Sequence, residues 1–124
     1  MPRAADFTPP DLTSTGILDK AQQDNHWSDA DAAEAKEWYE HFLELKWASP
    51  GKPIYVMANK ADRLWHTHIT FTQPYQKYCD DVLGDFLHHT PTVPPHHPTP
   101  IQIADATRQY KKWGPIPDAT TWCV

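Results

Sequence analysis

The sequence predicts an all-α fold, a small bundle of about four helices, and three observations carry that expectation. Apolar and aromatic residues recur at three- and four-residue spacing over 29–47, 58–70 and 72–87. Helix-starting residues (Ser28, Thr72, Thr99) stand at helix starts, while Ser49-Pro50-Gly51, Gly84 and Gly114-Pro115 stand where helices should stop. The chain has 124 residues, enough for one core, and its 6 Trp and 5 Tyr can supply much of the buried area.

The elements follow in chain order. Residues 1–27 are mixed and polar, with Pro9-Pro10 and one short apolar patch, Ile17-Leu18. They read as an irregular arm with at most a helical turn. Ser28 caps the first clear helix, about 29–47, whose Asp29, Asp31 and Glu34 suit the positive end of the helix dipole. Ala35, Trp38, Tyr39, Phe42 and Leu45 form its inner stripe. Ile54-Tyr55-Val56 reads as an apolar connection. A second helix, about 58–70, carries Ala61, Leu64, Trp65, His68 and Ile69 on one stripe, with Asp62 and His66 one turn apart at its edge. Thr72 is expected to cap a third helix, with Pro74 in its first turn and Tyr75, Tyr78, Cys79, Val82 and Phe86 on one face. That helix ends either at Gly84, as a left-handed residue, or at Leu87. Residues 28–89 are thus the core helices, and the short link at 70–73 folds the second and third back on each other. Five prolines in 90–100 make 90–99 an extended strap. Thr99-Pro100 opens a last helix through Ile103, Ala106, Thr107, Tyr110 and Trp113, and residues 100–124 end in an irregular tail with Trp122 and Cys123. All of this is one domain.

Composition excludes whole classes of function. No apolar run is long enough for a membrane span. The start, Met1-Pro2-Arg3-Ala4-Ala5-Asp6, lacks the apolar core of a secretion signal, so a cytoplasmic location is expected. A net charge of −5 with 11 Lys+Arg and no basic run makes nucleic acid an unsuitable partner. Cys79 and Cys123 read as thiols, although a single bridge between them stays open. The oligomeric state is not indicated.

The 13 Pro and 8 His stand out. The histidines cluster as His66 and His68, then His88 and His89, then His96 and His97, with Asp62 and Cys79 beside the first groups. Imidazole, carboxylate and thiolate are the common transition-metal donors. Helix geometry limits the combinations. Positions i and i+2 diverge by roughly 200°, so His66 and His68 cannot chelate one ion unless the helix breaks, whereas Asp62 and His66 at i and i+4 can. Counting the helical rise up to His68 and back down to Gly84 returns the chain to the level of Asp62, where His89 meets the Asp62/His66 edge. Each residue also has an ordinary reading. His68 suits a hydrogen-bonded core position, Cys79 a small core hydrophobe, and His96 and His97 a solvated strap. Trp38, Trp65 and Trp113 read as core, and Asp80-Asp81 as a solvated face. His-Glu-x-x-His, Cys-x-x-Cys, phosphate-loop and Gly-x-Ser-x-Gly motifs are absent, as are the Glu-x-x-His pairs of di-iron bundles.

The residues Phe42 to Lys46, Asp62-Arg63-Leu64-Trp65-His66-Thr67-His68-Ile69, Tyr75, Cys79, Gly84 and Leu87-His88-His89-Thr90-Pro91 resemble the glycine-rich domain-containing protein-like family. The likeness covers roughly 37–91, with a weaker tail match at Tyr110, Gly114 and Trp122. It implies that Asp62, Trp65, His66, His68, Tyr75, Cys79 and His89 matter, and it supplies no reaction. The chain lacks the glycine-rich extension, and Pro94 to Pro98 departs from the family's pattern.

The expectation is therefore a small metal-binding protein, read further as a metal-dependent oxidoreductase acting on a small-molecule or peptide substrate. His66, His68 and His89 are the expected metal ligands, with Cys79 and His88 as further candidate donors. Asp62 serves as ligand, orienting acceptor or catalytic group, and Tyr75 as a catalytic neighbour. Copper, iron and zinc all suit such donors; crowding by Tyr75, Tyr78, Trp65 and Cys79 favours redox over hydrolytic chemistry. The alternative is a non-catalytic helical interaction module in which the His/Asp/Cys group is a buried polar network. A third reading is metal-free acid/base catalysis by His66 activated by Asp62.

Overall fold

The computed structural model describes residues 6–89 and 99–123. Among these residues the fold is mainly helical, with one short antiparallel strand pair. Helix α1 spans Ile17–Asn25, and its inner Ile17 and Ala21 are fully buried. This corrects the irregular arm expected at the N-terminus. The local apolar signal is small, and the helix gains its stability by docking on its neighbours rather than from propensity.

Helix α2, Asp29–Ala48, begins at a reciprocal cap: the Ser28 hydroxyl accepts from the Asp31 N–H at 3.1 Å, and the Asp31 carboxylate accepts from the Ser28 N–H at 3.3 Å. Ala35, Trp38, Tyr39, Phe42 and Leu43 are buried along it.

Strand β1, Tyr55–Ala58, pairs antiparallel with β2, Ala119–Cys123. Tyr55 faces Cys123 and Val56 faces Trp122 in register. The stretch expected to be a mere connection, and the tail expected to be irregular, thus form a two-stranded ribbon. The end of the last helix braces it. The Tyr110 hydroxyl donates to the Tyr55 carbonyl, and the Gln109 amide bridges the Pro53 carbonyl and the Tyr55 N–H at 3.0 Å each.

Helix α3, Asn59–Thr70, is unbroken and buries Ala61, Asp62, Leu64, Trp65, Thr67 and His68. Phe71 serves both as the last half-turn of α3 and as the entry to α4, Thr72–Tyr78. Thr72 is therefore the first helical residue and not a cap, because the reversal is one residue tighter than the sequence suggests. A π-helical turn over Cys79–Leu83 continues α4, and Gly84, at φ 82°, closes it with its N–H on the Cys79 carbonyl at 2.8 Å. Of the two endings open in the sequence, the structure takes the glycine. Residues 85–89 then return along α3.

Helix α5, Pro100–Gln109, starts at a Thr99/Gln102 capping box. It stops at Tyr110, and Lys111–Trp113 form a 3₁₀ turn, so the α-helix ends before the Trp113 expected. The expected strap at 90–98, with His96 and His97, and the side chains of Trp122 and Cys123 lie outside the described residues. No helix among the described residues is long and apolar enough to cross a membrane.

Candidate metal centre

Asp62 and His66 occupy successive turns of α3, so their side chains share one face. His89 comes from the segment after Gly84, and the core fixes its approach. The Trp65 Nε1–H donates to the Tyr75 hydroxyl at 2.9 Å, and the Tyr75 hydroxyl donates to the Leu87 carbonyl. The returning chain is thereby pinned two residues before His89, whose ring lies against the Trp65 indole with centroids 4.2 Å apart.

Three atoms converge. His89 Nε2 lies 2.9 Å from Asp62 Oδ1, His66 Nε2 lies 2.8 Å from His89 Nε2, and His66 Nε2 lies 3.6 Å from Asp62 Oδ1. Among the described residues this is the group with the geometry to hold a metal ion. The side chains of Asp62 and His89 are 10% and 8% exposed, while that of His66 is 56% exposed, so the group opens to solvent on the His66 side.

Hydrogen bonding satisfies this triangle only if one His89 Nε2–H is shared between Asp62 and His66. A carboxylate oxygen only accepts, and a neutral imidazole Nε2 offers one proton or one lone pair. If His89 Nε2–H donates to Asp62, it cannot accept from His66. If it accepts from His66, its lone pair faces the Asp62 oxygen. A shared cation relieves the conflict. Metal–ligand bonds of about 2.0–2.1 Å space tetrahedral ligand atoms by roughly 3.3 Å and octahedral ones by about 2.9 Å, which the three distances bracket. Partial burial lowers the His66 pKa, against the pull of Asp62, and favours the neutral imidazole that a metal needs.

The other predicted residues go elsewhere. Because α3 is unbroken, His68 points to the opposite side and is not brought to the group, which corrects its place beside His66 and His89. Its Nδ1 lies 2.7 Å from the Tyr39 hydroxyl, and its ring sits among Tyr39, Tyr75 and Tyr78. Cys79 is a fully buried free thiol whose pKa burial pushes up, so it packs in the core and stays out of the group. His88 is exposed, edge-on to Phe86 with centroids 4.7 Å apart. Tyr75, expected as a catalytic neighbour, is buried and holds the backbone that carries His89; Asp62 sits in the group with His66 and His89. The sequence reading missed Tyr39 as the partner of His68, because α2 and α3 meet only in the folded chain.

Burial without a counter-charge pushes the His68 pKa down from 6.5 to about 4. The folded-state value lies below the unfolded one, so its stabilising contribution is complete above pH 6.5 and is lost as the pH falls toward 4. In metal-free protein this one residue should remove on the order of 3 kcal/mol across that window. An NMR titration of the His68 ring should give a midpoint near 4; an unshifted midpoint would contradict the buried, neutral ring.

No curated protein and no solved structure matches this chain. A family match covers residues 11–113, and it is to the UCP032817-like family. It replaces the resemblance to the glycine-rich domain-containing family that the Trp-His-x-His and His-x-Pro residues suggested: short motifs around a shared cluster do not distinguish families, whereas a match over most of the chain does. By that extent, the chain belongs to the UCP032817-like family.

Proposed function

We propose that this protein binds one divalent transition-metal ion through Asp62 Oδ1, His66 Nε2 and His89 Nε2. The observation that carries the reading is the approach of three metal-donor atoms from two segments of the chain within 3.6 Å of one another, where hydrogen bonding would have a single proton serve two acceptors. Two imidazoles and one carboxylate favour iron(II) or zinc; copper(I) prefers soft donors, and Cys79 lies outside the group. The same donor set is the facial arrangement used by non-haem iron oxygenases, with positions left open. Zinc hydrolases use the same donors, so the preference for a metal-dependent oxidoreductase rests on the oxidisable Trp65 ring against His89. The exposed His66 side is where a small-molecule or peptide substrate would approach.

The test is metal titration of protein purified without an affinity tag and stripped with a chelator. Iron(II) under anaerobic conditions, or zinc, should bind at one equivalent. Uptake far below that, with an unchanged melting temperature, would favour the second reading. In that reading the 2.9 Å His89–Asp62 contact is a structural tie between α3 and the returning segment.

A further inference from the structure

A separate recess lies on the opposite side of α3, where residues 8–11 cross α4. Its volume is 370 Å³, within the range of small-molecule pockets. The Tyr78 hydroxyl donates to the Thr8 carbonyl at 2.7 Å and holds the crossing segment in place. Pro9, Pro10, Pro74, Tyr78 and Val82 give the recess apolar walls, and His68 lines it.

The protons on His68 follow from its partner. Tyr39 is fully buried, and among the described residues its hydroxyl has no acceptor besides His68 Nδ1. The phenol therefore donates, because a buried hydroxyl proton left without an acceptor is costly. With Nδ1 accepting, the neutral ring carries its proton on Nε2. No hydrogen bond among the described residues takes that proton, on a residue that is 1% exposed. Because His68 lines the recess, the Nε2–H is left as a nearly buried donor without a protein acceptor at its floor.

The rim carries two carboxylates and one ammonium. Lys77 is paired with Asp81 at 2.7 Å, and Asp11 accepts from Ser14 and from the Thr13 N–H. An anion would meet more negative than positive charge there. A cation would find a donor rather than an acceptor at the floor.

We infer that this recess is a binding site for a small, uncharged, largely apolar molecule whose carbonyl oxygen accepts from His68 Nε2–H. The site stands apart from Asp62, His66 and His89, and its test uses metal-free protein, so either assignment can fail without the other. The probes are 2-pentanone, butyrate and butylammonium, read by the His68 Nε2 shift in nitrogen-15-labelled protein. 2-Pentanone should shift it saturably, with a Kd on the order of 1–10 mM for so small a ligand. Butyrate should bind more weakly, and butylammonium should leave the signal in place. His68→Ala would orphan Tyr39 and open a cavity, so the blocking variant is Thr15→Trp, at an exposed rim position. It should melt near the wild-type temperature and weaken 2-pentanone binding at least about tenfold. No saturable shift with 2-pentanone, an equal shift with butylammonium, tighter binding of butyrate, or unaltered binding by folded Thr15→Trp protein would each overturn the assignment.

Discussion

Replacing His66 by alanine is expected to abolish the metal-dependent rise in melting temperature while barely changing that of the metal-free protein. The two halves of this result have different causes. The His66 side chain is 56% exposed and packs little, so removing it should shift intrinsic stability by only about 0.5 kcal/mol. It also supplies one of three converging donors. A ligand present at about 100 times its Kd adds roughly 2.7 kcal/mol to the native state, worth on the order of 10 °C for a domain of this size. Loss of a direct ligand should exceed the 10–100-fold effect typical of outer-sphere partners, leaving little of that increment at the same metal concentration. Asp62→Asn keeps the shape but removes the anionic ligand atom and should behave similarly. His89→Ala is a poorer probe, because the ring also lies tilted against Trp65 and bonds Asp62, so its metal-free stability falls as well. A His66→Ala protein that keeps the full metal increment, measured by differential scanning calorimetry with and without zinc, would exclude this imidazole as a ligand.

Trp65→Ala should have the largest effect on folding, lowering stability by about 3–5 kcal/mol. The indole is fully buried, with Phe42 at a centroid distance of 4.9 Å and His89 at 4.2 Å. It also donates to the Tyr75 hydroxyl, which in turn holds Leu87. Truncation therefore leaves a cavity, removes the donor to Tyr75 and frees the segment carrying His89. Against a total stability of about 5–15 kcal/mol, such a loss is a large fraction of the whole. Trp65→Phe retains a ring and gives up the N–H, so its cost should be nearer 1 kcal/mol. Urea unfolding of both variants measures the difference. A loss under about 1 kcal/mol for Trp65→Ala would mean that the core refills around the missing indole.

These two residues also show how far the site can be read without coordinates. Asp62, Trp65 and His66 fall on neighbouring positions of one helix, and helix geometry alone pairs Asp62 with His66, whereas His68 remains an expected ligand until α3 proves unbroken. The level of His89 follows from the rise of two antiparallel helices. What that counting lacks is the pin. Trp65, Tyr75 and Leu87 are 10 and 12 residues apart along the chain, and their hydrogen bonds exist only once α3 and α4 have folded together. Tyr39 lies 29 residues from His68, so the sequence offers no sign of their pairing.

By itself the sequence determined the mainly helical class and the caps at Ser28 and Thr99, and it narrowed the end of the third helix to Gly84 or Leu87. Those features depend on contacts within one or two turns, where residue type and spacing decide the outcome. Only the tertiary structure decided that residues 55–58 pair with 119–123, that 17–25 is a helix with buried Ile17 and Ala21, and which imidazoles share a common point. Each of those outcomes needs segments distant in the chain to meet, and the local pattern does not encode the packing that brings them together.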